Sequence, residues 1–300
     1  MGFADFKKRH QGNKDSLNKI KSKVEEENGG SYIDERYWNF EVDNSGNGMA
    51  IIRFMPEPEG EDMPYISYYE HAFKGKTGKW YINRSLTSLG KGVPDPVAEQ
   101  NTESWNDGTD EGKAKARARK RHKRYISNIY IIKDSKNPQN EGKVMLWKYG
   151  SAIYKMIEDA VNPPAEFDDE PFNPFDFWEG ADFKLKAYNN SASGYRSYDK
   201  SAFSEPSEFL DGDDEKLEEV YNSLYSLEAE NSNDKYKSYD ELKKHLDFVD
   251  GITNSLDGNS KKKSDPEEDK ADEKDDDYEA PLKESTSDDD DDDYMSLLED

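Results

Sequence analysis

The chain has 300 residues, of which 32% are apolar and 36% charged, with a formal charge of −25. That charge excludes burial of a sizeable part of the chain, while 19 Tyr, 13 Phe and 5 Trp exclude a wholly disordered polymer. The absence of cysteine rules out disulfides and thiolate metal sites, and no 18-residue apolar run exists to form a membrane-spanning helix.

The N-terminal segment "MGFADFKKRH" lacks the apolar stretch of a secretory leader, and Phe6 stands where a myristoylation signal requires Ser or Thr. A soluble intracellular chain is expected. Residues 1–23 hold seven Lys or Arg against Asp5 and Asp15. Asp15 and Ser16 are candidate caps for a helix over "LNKIKSKVEEE", in which Leu17, Ile20 and Val24 form one thin apolar stripe. Glu25, Glu26 and Glu27 oppose the helix dipole, so this helix needs a docking surface. The segment 1–30 therefore reads as a basic arm that ends at Asn28-Gly29-Gly30.

Residues 31–206 read as a mainly β core. "RYWNFEV" (36–42) predicts a strand, "NSGNG" (44–48) a turn and "MAIIRFMP" (49–56) the return strand. "PYISYYEHAF" and "GKWYIN" predict a second pair around "KGKTG". "YISNIYIIKD" is apolar on both faces, as a central strand must be, and "KVMLWKYG" follows after the turn "SKNPQNEG". "SAIYKMIEDAV" sets Ile153, Ile157 and Ala160 at helical spacing before Pro163-Pro164, and "ADFKLKAYN" predicts one more strand. Short strands with a helix inserted late suit a small barrel such as an OB-fold, although periodicity alone leaves other β folds open.

Within this core, Lys113 to Arg124 carry eight Lys or Arg in twelve residues and no acid. The plain reading of such a run is a solvated loop or helix, or a nuclear-import signal. Here it leads directly into Tyr125 and a strand. The core also offers Trp80, Tyr81, Trp147, Tyr149, Tyr195 and Tyr198 beside basic or polar residues. Phosphates need cations and unstacked bases need flat apolar surfaces, so this combination suits a single-stranded nucleic acid. The candidate cations are Arg117, Arg119, Lys120, Arg121, Lys123 and Arg124, with Arg53 added from an earlier strand. For each aromatic, packing in the core is the competing reading.

Enzymatic constellations are not found. Gly75-Lys76-Thr77 resembles the end of a phosphate-binding loop, but Glu70 stands where that motif requires its first glycine. His10, His71, His122 and His245 are far apart in sequence, and no carboxylate pair stands out. Beyond Pro206 the segment 207–258 predicts polar helices over "DDEKLEEVYNSLYSLEAE" and "SYDELKKHLDFVDGI". The segment 259–300 reads as a disordered acidic tail: from Ser264 onward there are 19 Asp or Glu against 3 Lys. Its tip sets Tyr294, Met295, Leu297 and Leu298 against Asp288, Asp289, Asp290, Asp291, Asp292 and Asp293. That pairing of acids with apolar groups suits docking on basic, grooved partners.

"DNSGNGMAIIRFMP", "HAFKGKTGKWYI", "ISNIYIIKDSKNPQNEGKV", "WEGADFKLK" and "SGYRSYDKSAF", in this order, resemble the T-even bacteriophage single-stranded DNA-binding proteins. The resemblance covers Val42 to about Phe203 and the layout of basic arm and acidic tail. It implies an OB-fold core with a basic, aromatic-lined cleft, in which Tyr125, the pair Tyr195 and Tyr198, Trp80 with Tyr81, and Trp147 face DNA. It also implies head-to-tail self-association through the arm, with Lys7, Lys8 and Arg9 as counterparts and His10-Gln11 replacing the usual Ser/Thr pair. It further implies a non-enzymatic role in phage replication, recombination and repair, in the cytoplasm of the infected host. Tail partners would include a polymerase, a helicase loader and a recombination mediator. Well-known members hold a structural zinc with one His and three Cys. His71 takes the histidine's place, but the cysteine positions fall in "NRSLTSLGKGVPDPVAEQ", so that site cannot form and no cofactor is expected. The alternative from another class is an acidic chaperone or scaffold for basic proteins.

Overall fold

The computed structural model describes residues 34–164, 170–190 and 195–253. The expected arm helix, Lys7, Lys8 and Arg9, and the tail residues 288–298 lie outside them. The chain divides into two units, Met1–Asn39 and Phe40–Asp300. In the described part of the first, Arg36 donates to Asp34 at 2.6 Å. All that follows concerns the second.

Its strands are β1 (Gly48–Phe54), β2 (Tyr65–Lys74), β3 (Trp80–Arg84), β4 (Arg121–Asp134), β5 (Val144–Gly150), β6 (Asp182–Asn190), β7 (Tyr195–Ser197) and β8 (Ala202–Phe203). They pair antiparallel in the order β3-β2-β4-β1-β6-β7, with β5 on β4 and β8 on β6. The sheet is organised by the long strand β4. It pairs with β2 over 121–127, with β5 over 124–130 and with β1 over 129–134. Because β2 and β5 overlap, they occupy opposite edges, and β1 continues the edge that β2 leaves. One strand shared in succession by diverging partners must bend, and a register shift at Ile51/Ile52 of β1 adds curvature. The result is a mainly antiparallel half-barrel, consistent with an OB-like core.

The expected strand over 36–42 does not form. The edges of β1, its expected hairpin partner, are taken by β4 and β6. Its turn does form: Asp43 Oδ1 accepts from Ser45 N at 2.9 Å and Asn47 N at 2.8 Å. Inside the curved sheet, Phe54 is fully buried, with the rings of Trp147, Tyr149, Phe175, Phe183 and Phe203 at 5.5–6.1 Å.

The helices are α1 (Pro96–Asn106), α2 (Asp110–Ala118), α3 (Ser151–Val161), α4 (Asp214–Tyr221), α5 (Leu227–Glu230) and α6 (Tyr239–Val249). The single helix expected over 213–230 is two, because Ser226 opens α5 by capping Ala229 N at 3.1 Å. Helix α6 begins with a capping box between Ser238 and Glu241. It buries Leu242, Leu246 and Val249 against Phe73, Tyr81, Leu86 and Val97.

The turn containing Gly75-Lys76-Thr77 holds the end of α6. Thr77 N and Oγ1 donate to the Val249 carbonyl at 3.0 and 2.8 Å, and a Cβ on Gly75 would lie 2.2 Å from that oxygen. The glycine is there to let two backbones meet, and no phosphate loop is involved.

Arg119, between α2 and β4, locks these pieces together. Its guanidinium donates to Asp250 at 2.8 and 2.6 Å and lies 4.6 Å from the Phe73 ring centroid. Its carbonyl accepts from His71 Nδ1 at 2.9 Å and Asn101 Nδ2 at 3.0 Å. Both members of the ion pair are buried, so Arg119→Ala leaves an uncompensated carboxylate and is expected to cost about 3–5 kcal/mol in urea unfolding. Arg117→Ala, on the exposed side of α2, is expected to cost under ~1 kcal/mol. Equal losses would refute the assignment of Arg119 as the clamp.

Candidate nucleic-acid interface

Helix α2 takes up the first part of the basic run, for which a helix was one plain reading, and its signals are local. Thr109 caps Gly112 N at 3.0 Å, Asp110 and Glu111 occupy the first turn, and Lys115 and Arg117 the last. The basic run thus divides into a helical part, a link and the start of β4. Arg117 is exposed, and its guanidinium lies 5.2 Å from the centroid of the Trp105 ring. Lys120 is half-buried. On β4, side-chain alternation sends Arg121, Lys123 and Tyr125 to one face and His122 and Arg124 to the other. Arg121 donates to Thr87 Oγ1 at 2.7 Å and lies over Tyr69 at 4.2 Å. Exposed Lys123 lies 5.4 Å from the Tyr125 ring. Arg124 and Lys148 bind Glu70 at 3.1 and 3.2 Å. Burial opposes ionisation of Glu70, but these two cations outweigh it and hold its carboxyl below the usual range.

Several expected contact residues are placed elsewhere. Arg53 is fully buried: it donates to the carbonyls of Asp176 at 3.0 Å and Ser207 at 2.8 Å and reaches Asp182, so it fastens loops and meets no phosphate. Arg119 is the clamp described above. Tyr81 is buried between Phe73 and His245, with centroids at 5.1 and 4.9 Å, and belongs to the core. Trp147 and Tyr149 face the inside of the sheet beside Phe54, and the Tyr149 hydroxyl bonds Ser127 Oγ at 2.9 Å. For both, the competing reading of core packing holds. Tyr125 is 4% exposed. Its ring is stacked by Tyr149 at 5.7 Å and by Tyr154 at 3.9 Å, so neither face is open.

Of the candidate cations, Arg117, Lys120, Arg121 and Lys123 remain at least partly at the surface, and Arg124 is engaged by Glu70. Trp80 is half-buried with Lys74 at 5.2 Å, and Tyr198 is half-buried next to Arg196. Tyr195 opens β7. Reading the sequence for strands next to cations missed Tyr65, Tyr69 and Tyr154, all half-buried and close to Tyr125 or Arg121. The available signal for Tyr154 was its place beside the apolar stripe of α3.

A cleft of about 510 Å³ lies elsewhere, and Glu57, Asp176, Asp214 and Glu218 line it. A polyanion is repelled there.

The surroundings of His71 do not fit a zinc ion. A carbonyl only accepts, so Nδ1 carries the proton given to Arg119, and Nε2 lies 3.6 Å from Asp95 Oδ1. Asp95 is already saturated: Oδ2 accepts from Ser85 Oγ and Leu86 N, and Oδ1 from Val97 N and Ala98 N, all at 2.9–3.0 Å. A structural zinc needs four ligands, and no three His, Cys, Asp or Glu cluster among the described residues.

Residues 46–249 match the family described as gp32 DNA binding protein like. The chain belongs to that family. It is 34% identical over 222 residues to the single-stranded DNA-binding protein of Enterobacteria phage T4, covering 74% of this chain and 72% of the relative. The protein of the same name from Enterobacteria phage T2 is 34% identical over 224 residues with the same coverage.

The histidines near this run give a pH test. Burial lowers the pKa of His71, His122 and His245, to about 4 for His122. Each takes up a proton less readily in the folded chain than in the unfolded one, where histidine protonates below roughly pH 6.5. Stability is therefore expected to be fully present above that pH and to fall as pH drops toward 5, read as a falling Tm. His122→Gln should flatten the slope, and a Tm independent of pH over this window refutes the assignment.

Proposed function

We propose that this chain is a non-enzymatic protein that coats single-stranded DNA cooperatively and with little regard to sequence, using an OB-fold core. The observation that carries the reading is the surface of β4 and α2. On β4, Arg121 and Lys123 lie over the rings of Tyr69 and Tyr125, and Arg117 on α2 and Lys120 in the link precede them, in a chain whose relatives are named single-stranded DNA-binding proteins. Phosphates bind the cations and unpaired bases stack on the rings. Because only unpaired bases stack, binding draws duplex toward single strand.

In this reading the basic arm, through Lys7, Lys8 and Arg9, joins neighbours head to tail. The acidic tail recruits replication and recombination proteins of the phage in the host cytoplasm and competes with DNA for the cations when DNA is absent. No zinc takes part; the saturated Asp95 ties together the segments that a metal clip would join.

The deciding experiment is a salt-dependent titration of intrinsic Trp and Tyr fluorescence with oligo(dT), against duplex DNA and a histone. Quenching by oligo(dT) is expected, with affinity falling as salt rises by roughly 0.7 in log–log slope per phosphate neutralised. Preference for duplex, or for the histone as an acidic chaperone would show, overturns the proposal. Truncation before Asp265 should tighten oligo(dT) binding at low salt and have little effect at high salt. Unchanged affinity at low salt removes the competitor role of the tail.

A further inference from the structure

Trp147, Tyr149, Tyr125 and Tyr154 form a continuous ladder of rings that starts inside the sheet and ends at the surface. Successive centroids lie 5.1, 5.7 and 3.9 Å apart, and the last pair is nearly parallel at 6°. The first three rings are buried, whereas Tyr154, on the first turn of α3, is half-exposed. Its ring is held in place: the hydroxyl lies 3.0 Å from that of Tyr65, whose ring meets it edge-on at 5.4 Å. The exposed ammonium of Lys123 lies over the ring that Tyr154 covers. A fixed flat ring at the open end of a stack, next to a cation, is what a single-stranded base with its phosphate requires.

We propose that Tyr154 is the base-stacking platform of this interface, and that the buried Tyr125, Tyr149 and Trp147 support it from beneath without touching nucleic acid. The base becomes the next ring of the ladder. No rearrangement is needed, because Tyr65 already fixes the platform and the rings below resist its tilting. The inference rests on the single-strand binding proposed above and names one residue that the basic run and its neighbouring strands did not point to.

The test compares oligo(dT) with an abasic oligomer of equal length, which keeps the phosphates and lacks the bases. Tyr154→Ala is expected to weaken oligo(dT) binding about five- to a hundred-fold while leaving the abasic oligomer unaffected. Tyr154→Phe keeps the ring and should bind oligo(dT) nearly as the wild type does. Tyr154→Leu keeps apolar cover over Tyr125 without a flat face. It should show the selective loss of Tyr154→Ala, which guards against a variant that merely unfolds. Equal weakening toward both oligomers assigns Tyr154 a purely structural role and overturns the inference. Unchanged or tighter oligo(dT) binding by Tyr154→Ala overturns it as well, the tighter case making Tyr154 a lid over Tyr125. Wild-type protein that fails to bind oligo(dT) overturns the underlying reading and this one with it.

Discussion

The arrangement of the second unit depends on one buried arginine. Arg119 sits where the basic run passes from helix to strand, and its two ends face different partners. The guanidinium grips Asp250 at the end of α6, and the carbonyl takes hydrogen bonds from β2 and α1. A charge this deep is stable only when fully paired, so its presence dictates that α6 return to the β2–β3 hairpin. Gly75 and Thr77 complete the return by receiving the carbonyl of Val249. With α6 fixed, the start of β4 is fixed, and with it the direction in which Arg121 and Lys123 project.

Positive charge in this chain therefore does two kinds of work. Arg53 and Arg119 are internal, where each satisfies carbonyls or a carboxylate that would otherwise be stranded. Arg124 and Lys148 neutralise the buried Glu70. Only the remainder of the run is left for solvent and ligand. The aromatic residues divide in the same manner. A buried series beginning with Phe54 fills the sheet, and the half-exposed rings of Tyr65, Tyr69 and Tyr154 finish it at the surface. The proposed site is the outer margin of the core, with the buried rings beneath it.

Much of this was legible from the residues. Alternation and turn chemistry located β1 to β6, the polar stretch beginning at Ser238 was read as the helix that is α6, and the spacing of Ile153 and Ile157 located α3. The ordered motifs from Val42 to Phe203 were enough to place the chain in its family. The strand at 36–42 was not excluded by its own composition; the edges of β1, with which it was expected to pair, belong to β4 and β6. Helices α1 and α2 carried clear caps in Asp95 and Thr109 that a search for strands passed over.

Sequence by itself determined the segregation of charge into a basic start and an acidic end, and the strand that the basic run enters at Tyr125. These follow from charge counts and from the apolar pattern of a strand, which are local properties. Only the tertiary structure decided which arginines face inward and which rings remain open. That choice belongs to partners far along the chain: Asp250 lies 131 residues from Arg119. A period names a face, but distant elements decide whether that face is covered, and so Tyr125 is enclosed while Tyr154 reaches the surface.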